Sequence, residues 1–158
     1  MYSIKIFRDD FVFSSGHIMI YGENLIEASH GHNYKVELEI FGELNEYGLL
    51  IDFREIKKIL KNLIEELNQN FLIPQNKDIL VKDNDSLYDV YYREEKIISL
   101  KKEIVVLLNI SNISSENLCL YFTNKIINKN IFHKKIEYFI LTIKESYGQK
   151  ATYRHTFQ

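Results

Sequence analysis

At 158 residues the chain has the length of one domain, and its 46% hydrophobic and 27% charged residues suffice to bury a core. A net charge of -2 excludes a broad basic surface for nucleic acid, and the single cysteine, Cys119, excludes an internal disulfide scaffold. No apolar run nears the roughly 20 residues that span a bilayer, and Lys5, Arg8, Asp9 and Asp10 stand too early for a signal peptide, so a cytoplasmic protein without membrane or nucleic-acid partners is expected.

In chain order, residues 2–13 alternate loosely and are rich in Ile, Phe and Val, which predicts a strand. Residues 18–29 are irregular. Over 32–44, Tyr34, Val36, Leu38 and Ile40 fall on one face and Lys35, Glu37 and Glu39 on the other, the pattern of a half-buried strand. Asn45-Glu46-Tyr47-Gly48 reads as a turn. Asp52 then caps a helix whose apolar stripe is Ile56, Ile59, Leu60, Leu63, Ile64 and Leu67, ending near Asn70 ahead of Pro74. Residues 76–104 read as an inserted hairpin around Arg93-Glu94-Glu95-Lys96 and carry no evident chemistry. A second helix opens at Ser114 or Ser115 and runs to about Asn128, with Leu118, Phe122, Ile126 and Ile127 along one side. Residues 135–145 alternate as a strand, Gly148 marks a turn, and 150–157 form a last strand. The sum is an α+β single domain over 1–158: a four-stranded antiparallel sheet with two helices on one face.

The densest chemistry is Glu27-Ala28-Ser29-His30-Gly31-His32-Asn33-Tyr34. On an extended backbone residues i and i+2 point the same way, so His30 and His32 can share one metal ion. His17, at the end of the first apolar strand, is the natural third ligand. On the residues alone, a core histidine at 17 and a metal-free pair are the plainer reading, because most His-x-His pairs are not metal sites. Glu145 sits at a strand end beside a turn, where a solvated charge is the plain reading, and Ser114 and Ser115 read first as a helix cap.

The ordered set Phe11-Val12-Phe13-Ser14-Ser15-Gly16-His17, His30-Gly31-His32-Asn33-Tyr34, Gly48-Leu49-Leu50-Ile51-Asp52-Phe53, Ser114-Ser115-Glu116-Asn117 and Glu145 resembles the 6-pyruvoyl-tetrahydropterin synthase / 6-carboxytetrahydropterin synthase family over nearly the whole chain. The resemblance implies a tunnelling (T) fold whose subunits join their sheets into a barrel, as trimers or hexamers. It implies a Zn2+ ion on His17, His30 and His32 and a pterin small-molecule substrate anchored by Glu145 and bordered by Ser114 and Ser115; Asp52 and Phe53 match the family as well but read as cap and core.

Two departures refine it. Relatives place a catalytic cysteine shortly before His-Gly-His, and here the chain reads Leu25-Ile26-Glu27-Ala28-Ser29, while Cys119 lies in an apolar helix stripe. Glu-x-x-His-Gly-His is similar instead to a subgroup in malaria parasites and scattered bacteria, in which the glutamate moves the proton and 7,8-dihydroneopterin triphosphate is cleaved to 6-hydroxymethyl-7,8-dihydropterin, a folate precursor. The family's Asp-His pair after the first helix is also replaced, by Asn68-Gln69, and neither side chain relays protons near neutral pH. The expectation is a zinc-dependent lyase with Glu27 as catalytic residue. The alternatives are 6-carboxy- or 6-pyruvoyltetrahydropterin formation (the queuosine or biopterin route) and a zinc- and pterin-binding relative without turnover. His133 and His155 read as surface histidines.

Overall fold

The computed structural model describes residues 1–23 and 25–158; Asn24, in the irregular stretch expected before Glu27, lies outside them. The main sheet has the order β10-β9-β3-β2-β4-β8, with β1 also paired to β3. Its strands are β1 (Tyr2–Ile6), β2 (Val12–His17), β3 (His30–Gly42), β4 (Asn70–Pro74), β8 (Val105–Leu108), β9 (Ile136–Ser146) and β10 (Gln149–Thr156). Helices α1 (Phe53–Leu67) and α2 (Ser115–Ile127) touch each other and pack on the sheet. The antiparallel set β10-β9-β3-β2, with two helices on one face, is the arrangement expected. The described helices include none long and apolar enough to cross a membrane.

Three differences have physical causes. The expected single strand over 2–13 is split: β1 pairs with residues 38–42 and β2 with residues 30–35 of the same edge of β3. Arg8-Asp9-Asp10 breaks it, because Asp is a poor strand former, Arg8 pairs with Asp10 at 2.6 Å, and Phe11 N–H turns back to the Arg8 carbonyl at 3.2 Å. Strands β4 and β8 are parallel additions that the sequence reading lacked. Each is a short apolar run without alternation, which periodicity does not assign. Third, the segment over 76–104 is more than a hairpin. Strands β5 (Ile79–Asn84), β6 (Leu87–Tyr92) and β7 (Glu95–Lys101) form a separate three-stranded antiparallel sheet.

The core lies between main sheet and helices. Tyr34, Val36, Leu38 and Ile40 of β3 are fully buried, as their alternation predicts, against Leu60 and Leu67 of α1 and Phe122 and Ile126 of α2. Phe13 stacks on Tyr34 at 4.9 Å and on Phe122 at 5.8 Å. Glu37, on the opposite face, is also buried, because Lys144 and Lys5 bind its carboxylate. Both helices begin with the expected caps, but Phe53, expected in the core, is exposed as the first residue of α1, with Lys57 over its ring. Asp52 accepts from Arg54 N–H at 2.8 Å, and Ser114 accepts from Asn117 N–H at 3.3 Å. His133 and His155 are half-buried rather than on the surface: His133 Nε2 lies 2.9 Å from the Leu50 carbonyl, and His155 packs between Phe139 and Phe157.

Two outcomes follow from the packing. A Cβ on Gly42 would lie 2.4 Å from the Lys135 carbonyl oxygen, so Gly42→Ala should lower the urea-unfolding free energy by about 1–3 kcal/mol. Cys119 is fully buried, and burial pushes its thiol up to about 12. The native protein should therefore leave a thiol reagent unreacted at pH 8 and titrate one thiol per chain once unfolded.

Candidate metal centre and pterin pocket

The register of β2 against β3 brings the histidines together. His17 stands directly opposite His30, and Ser15 opposite His32. A directly opposed pair faces the same side of a sheet, as do residues two apart on one strand, so all three rings share the core face, as a continuation of the stripe that begins with Phe13 and Tyr34. Ring centroids are 4.4 Å apart for His17–His30, 4.8 Å for His30–His32 and 5.4 Å for His17–His32. Gly31 faces Gly16 across the pair, and a Cβ on it would meet the Ser15 carbonyl oxygen at 2.9 Å. Its smallness therefore serves the close approach of two backbones.

His17 is fully buried, and neither ring nitrogen has a hydrogen-bond partner among the described residues. Burial, with His30 and His32 pressing the same way, lowers its imidazole to about 4, so the ring is neutral at pH 7 and presents a lone pair. His32 Nε2 lies 2.9 Å from Glu145 Oε1, yet the alignment is not that of a hydrogen bond. Unpaired nitrogens on two buried or part-buried rings are costly in an ordinary core, and a cation removes the cost. One ligand atom each from His17, His30, His32 and Glu145 lies within 4.8 Å of the others. The donor set of three imidazoles and one carboxylate suits zinc, and the cluster could hold a metal ion.

Glu145 reaches the cluster from the end of β9. Its second oxygen accepts from Ser115 Oγ at 3.2 Å, so the first residue of α2 orients this carboxylate, while Ser114 caps the helix and bonds Asn117. Glu27 comes from the loop between β2 and β3. Its Oε2 lies 3.6 Å from His30 Nε2 and 3.4 Å from the Tyr21 hydroxyl. With 38% of its side chain exposed against none for His17, Glu27 stands at the rim and His17 at the floor. A groove of about 420 Å³ borders His32 and runs past Gly31, Asn33, Gln69 and Phe71. The arrangement can therefore hold a cation at its base, fix a ligand by a carboxylate at one side and exchange a proton at the other.

His17, His30, His32 and Glu145 form this cluster, Glu27 meets it at His30 and Ser115 at Glu145, and Ser114 is a helix cap whose bonds go to Asn117. His133 and His155 do not join the cluster, and Cys119 sits on the buried side of α2 itself, where its thiol contacts the Ala151 carbonyl at 3.5 Å. At the two replaced positions, Asn68 Oδ1 accepts from Ser14 N–H at 2.9 Å and Gln69 N–H donates to the Ser14 carbonyl at 2.7 Å; these residues tie the end of α1 to β2. The sequence reading missed Tyr21 and Asn112. Asn112 clamps Ile20 from both sides, accepting from its N–H at 3.2 Å and donating to its carbonyl at 2.9 Å. No local pattern signals a contact across 92 residues.

Comparison with known proteins bears on this site. A protein of Methanocaldococcus jannaschii, provisionally named 6-carboxy-5,6,7,8-tetrahydropterin synthase, is 35% identical over 147 residues, which are 90% of this chain and 88% of that one. Among solved structures, 6-pyruvoyltetrahydropterin synthase of Plasmodium vivax superposes with a TM-score of 0.89 at 24% identity, over 99% of this chain and 98% of that one. A variant of the same parasite enzyme, described as a catalytic residue mutant with glutamate replaced by alanine, superposes with a TM-score of 0.88 at 23% identity and the same coverage. The family profile described as 6-pyruvoyl tetrahydropterin synthase matches residues 5–156, and the chain belongs to that family.

Proposed function

We propose that this protein is a zinc-dependent lyase acting on 7,8-dihydroneopterin triphosphate and releasing 6-hydroxymethyl-7,8-dihydropterin. The observation that carries the reading is Glu27, a carboxylate at the rim of the three-histidine cluster, with the chain's one cysteine buried elsewhere. The parasite enzyme whose catalytic residue is a glutamate has the same fold, which supports the reading by analogy.

His17, His30 and His32 would hold the zinc, which when bound polarises neighbouring side-chain hydroxyls of the pterin and lowers their pKa. Glu145, steadied by Ser115, has acceptor sites left for the ring N–H and the 2-amino group of a pterin, two parallel hydrogen bonds that fix the ring. Glu27 then takes the proton of the second side-chain hydroxyl. The bond between the first and second side-chain carbons breaks, and its electron pair passes into the pterin C=N. A two-carbon aldehyde bearing the triphosphate leaves, and the proton held by Glu27 returns to the first side-chain carbon. Because a carboxylate is ionised at pH 7, it needs no partner to become a base, which fits the structural use of Asn68 and Gln69.

A second reading is 6-carboxytetrahydropterin formation. The name of the archaeal relative favours it, and of the two products it is the one the sequence relatives back better. One incubation separates them. Metal-loaded protein and 7,8-dihydroneopterin triphosphate, with products identified by mass, should give the 6-hydroxymethyl compound. A 6-carboxy product would establish the second reading, and tight pterin binding without product would mean a relative that binds but does not turn over. Glu27→Gln should lower kcat by about 10²–10⁴-fold with metal content unchanged; unaltered turnover would refute its role as base. His30→Ala should cut bound zinc from about one per chain to less than about half, since three protein ligands define such a site.

A further inference from the structure

We infer that the three-stranded sheet of β5, β6 and β7 is the wall against which the Glu27 loop is held, and that Tyr92 is a positioning residue for Glu27. The inference rests on the reading of Glu27 as the base. A group that moves a proton must be held within roughly 0.5 Å of its productive position, and Glu27 lies on a loop rather than on a strand. Inside that loop the backbone makes a narrow pinch: Ile20 bridges Ile26, Tyr21 N–H donates to the Leu25 carbonyl at 2.7 Å, and Glu27 N–H donates to the Met19 carbonyl at 2.8 Å. Beyond the pinch, Leu25 and Tyr21 are exposed. Such a pinch is marginal without external support.

Support comes from two sides. Asn112 grips Ile20, as described. On the other side a second apolar cluster, separate from the main core, has Ile18, Ile73, Ile79, Val90 and Tyr92 at its centre, with Ile20 and Ile26 packed against it. Three of those five central residues come from the inserted sheet, so its buried face covers the loop that carries Glu27. Tyr92, the last residue of β6, is 8% exposed. Its hydroxyl donates to the Glu23 carbonyl at 3.1 Å, with the Gly22 carbonyl at 3.5 Å. A buried tyrosine hydroxyl seeks a partner in any protein. Here the partner is the backbone of the loop tip, four residues before the proposed base, so one bond spans 69 residues to fix the loop's free end.

The test uses Tyr92→Phe in the full-length, metal-loaded protein, a change that removes the hydroxyl and keeps the ring in its cluster. Hydrogen–deuterium exchange read by mass spectrometry should quicken roughly fivefold in peptides covering 18–29, the factor an ordinary hydrogen bond commands, with peptides of α1 unchanged. On 7,8-dihydroneopterin triphosphate, kcat should fall by about the same factor with KM and metal content unmoved. In a Glu27→Gln background the same change should leave the residual rate unaltered, because its effect passes through Glu27. Unchanged exchange over 18–29 would overturn the inference, as would an equal rate loss in both backgrounds. Full activity of Glu27→Gln alone would refute the base assignment, while the exchange result would still decide whether Tyr92 holds the loop.

Discussion

A buried imidazole without a hydrogen bond is the constraint on which this molecule turns. His17 is shielded from water and neighboured by His30 and His32, and its two nitrogens have no hydrogen-bond partner among the described residues. A group in that state opposes folding by about 1–3 kcal/mol unless something accepts its lone pair. It is tolerated because the strand pairing that creates it also creates the core. Phe13, Ser15 and His17 lie on one face of β2, and His32, Tyr34 and Val36 on the same face of β3. A slip of one residue between β2 and β3 would turn the histidines to the other side and expose Phe13 and Tyr34 with them. The apolar part of the stripe thus enforces the register that the polar end needs.

The helices complete the site through their ends. The start of α2 sets Ser115 against Glu145, while Ser114 satisfies the first-turn amides. The end of α1 is tied to Ser14 of β2 by Asn68 and Gln69. Gln69 adopts φ 59, a left-handed conformation that a side chain accepts only under constraint. These two residues occupy positions where relatives are expected to hold a proton-relay pair. Here they are consumed in joining helix to strand, and Gln69 also lines the groove beside His32.

What could be read without coordinates was whatever a local period or cap encodes. The alternation over 34–40, the caps at Asp52 and Ser114 and the stripe of α1 all rest on interactions within a few residues of one another. The pairing of His30 and His32 was legible because the strand period relates them, while the inclusion of His17, Glu27, Glu145 and Ser115 in one site rested on the family resemblance. Features decided by distant pairing were not legible. β4 and β8 each hold a run of four apolar residues whose strand character comes from pairing with β2 and with each other. Glu37 follows the polar face in sequence, and Lys5 and Lys144, 32 and 107 residues away, bury it. The grip of Asn112 on Ile20 and of Tyr92 on Glu23 belongs to the same class.

The division of labour between strands and loop follows from what each task demands. A cation shared by three imidazoles needs ring positions that do not drift, and neighbouring strands supply them through backbone bonds and a shared face. The proposed base must meet a substrate and so needs solvent access, which the loop between β2 and β3 supplies: Glu27 is partly exposed where His17 is not. A cysteine in that place would need its thiol deprotonated by neighbours before it could act, whereas a carboxylate is ionised at neutral pH. On the proposed reading no relay pair is required, and Asn68 and Gln69 serve as fasteners to Ser14. The carboxylate then asks for something else, which is precision of placement on an irregular backbone. A second apolar cluster beneath the loop, built largely from the inserted sheet, answers that demand.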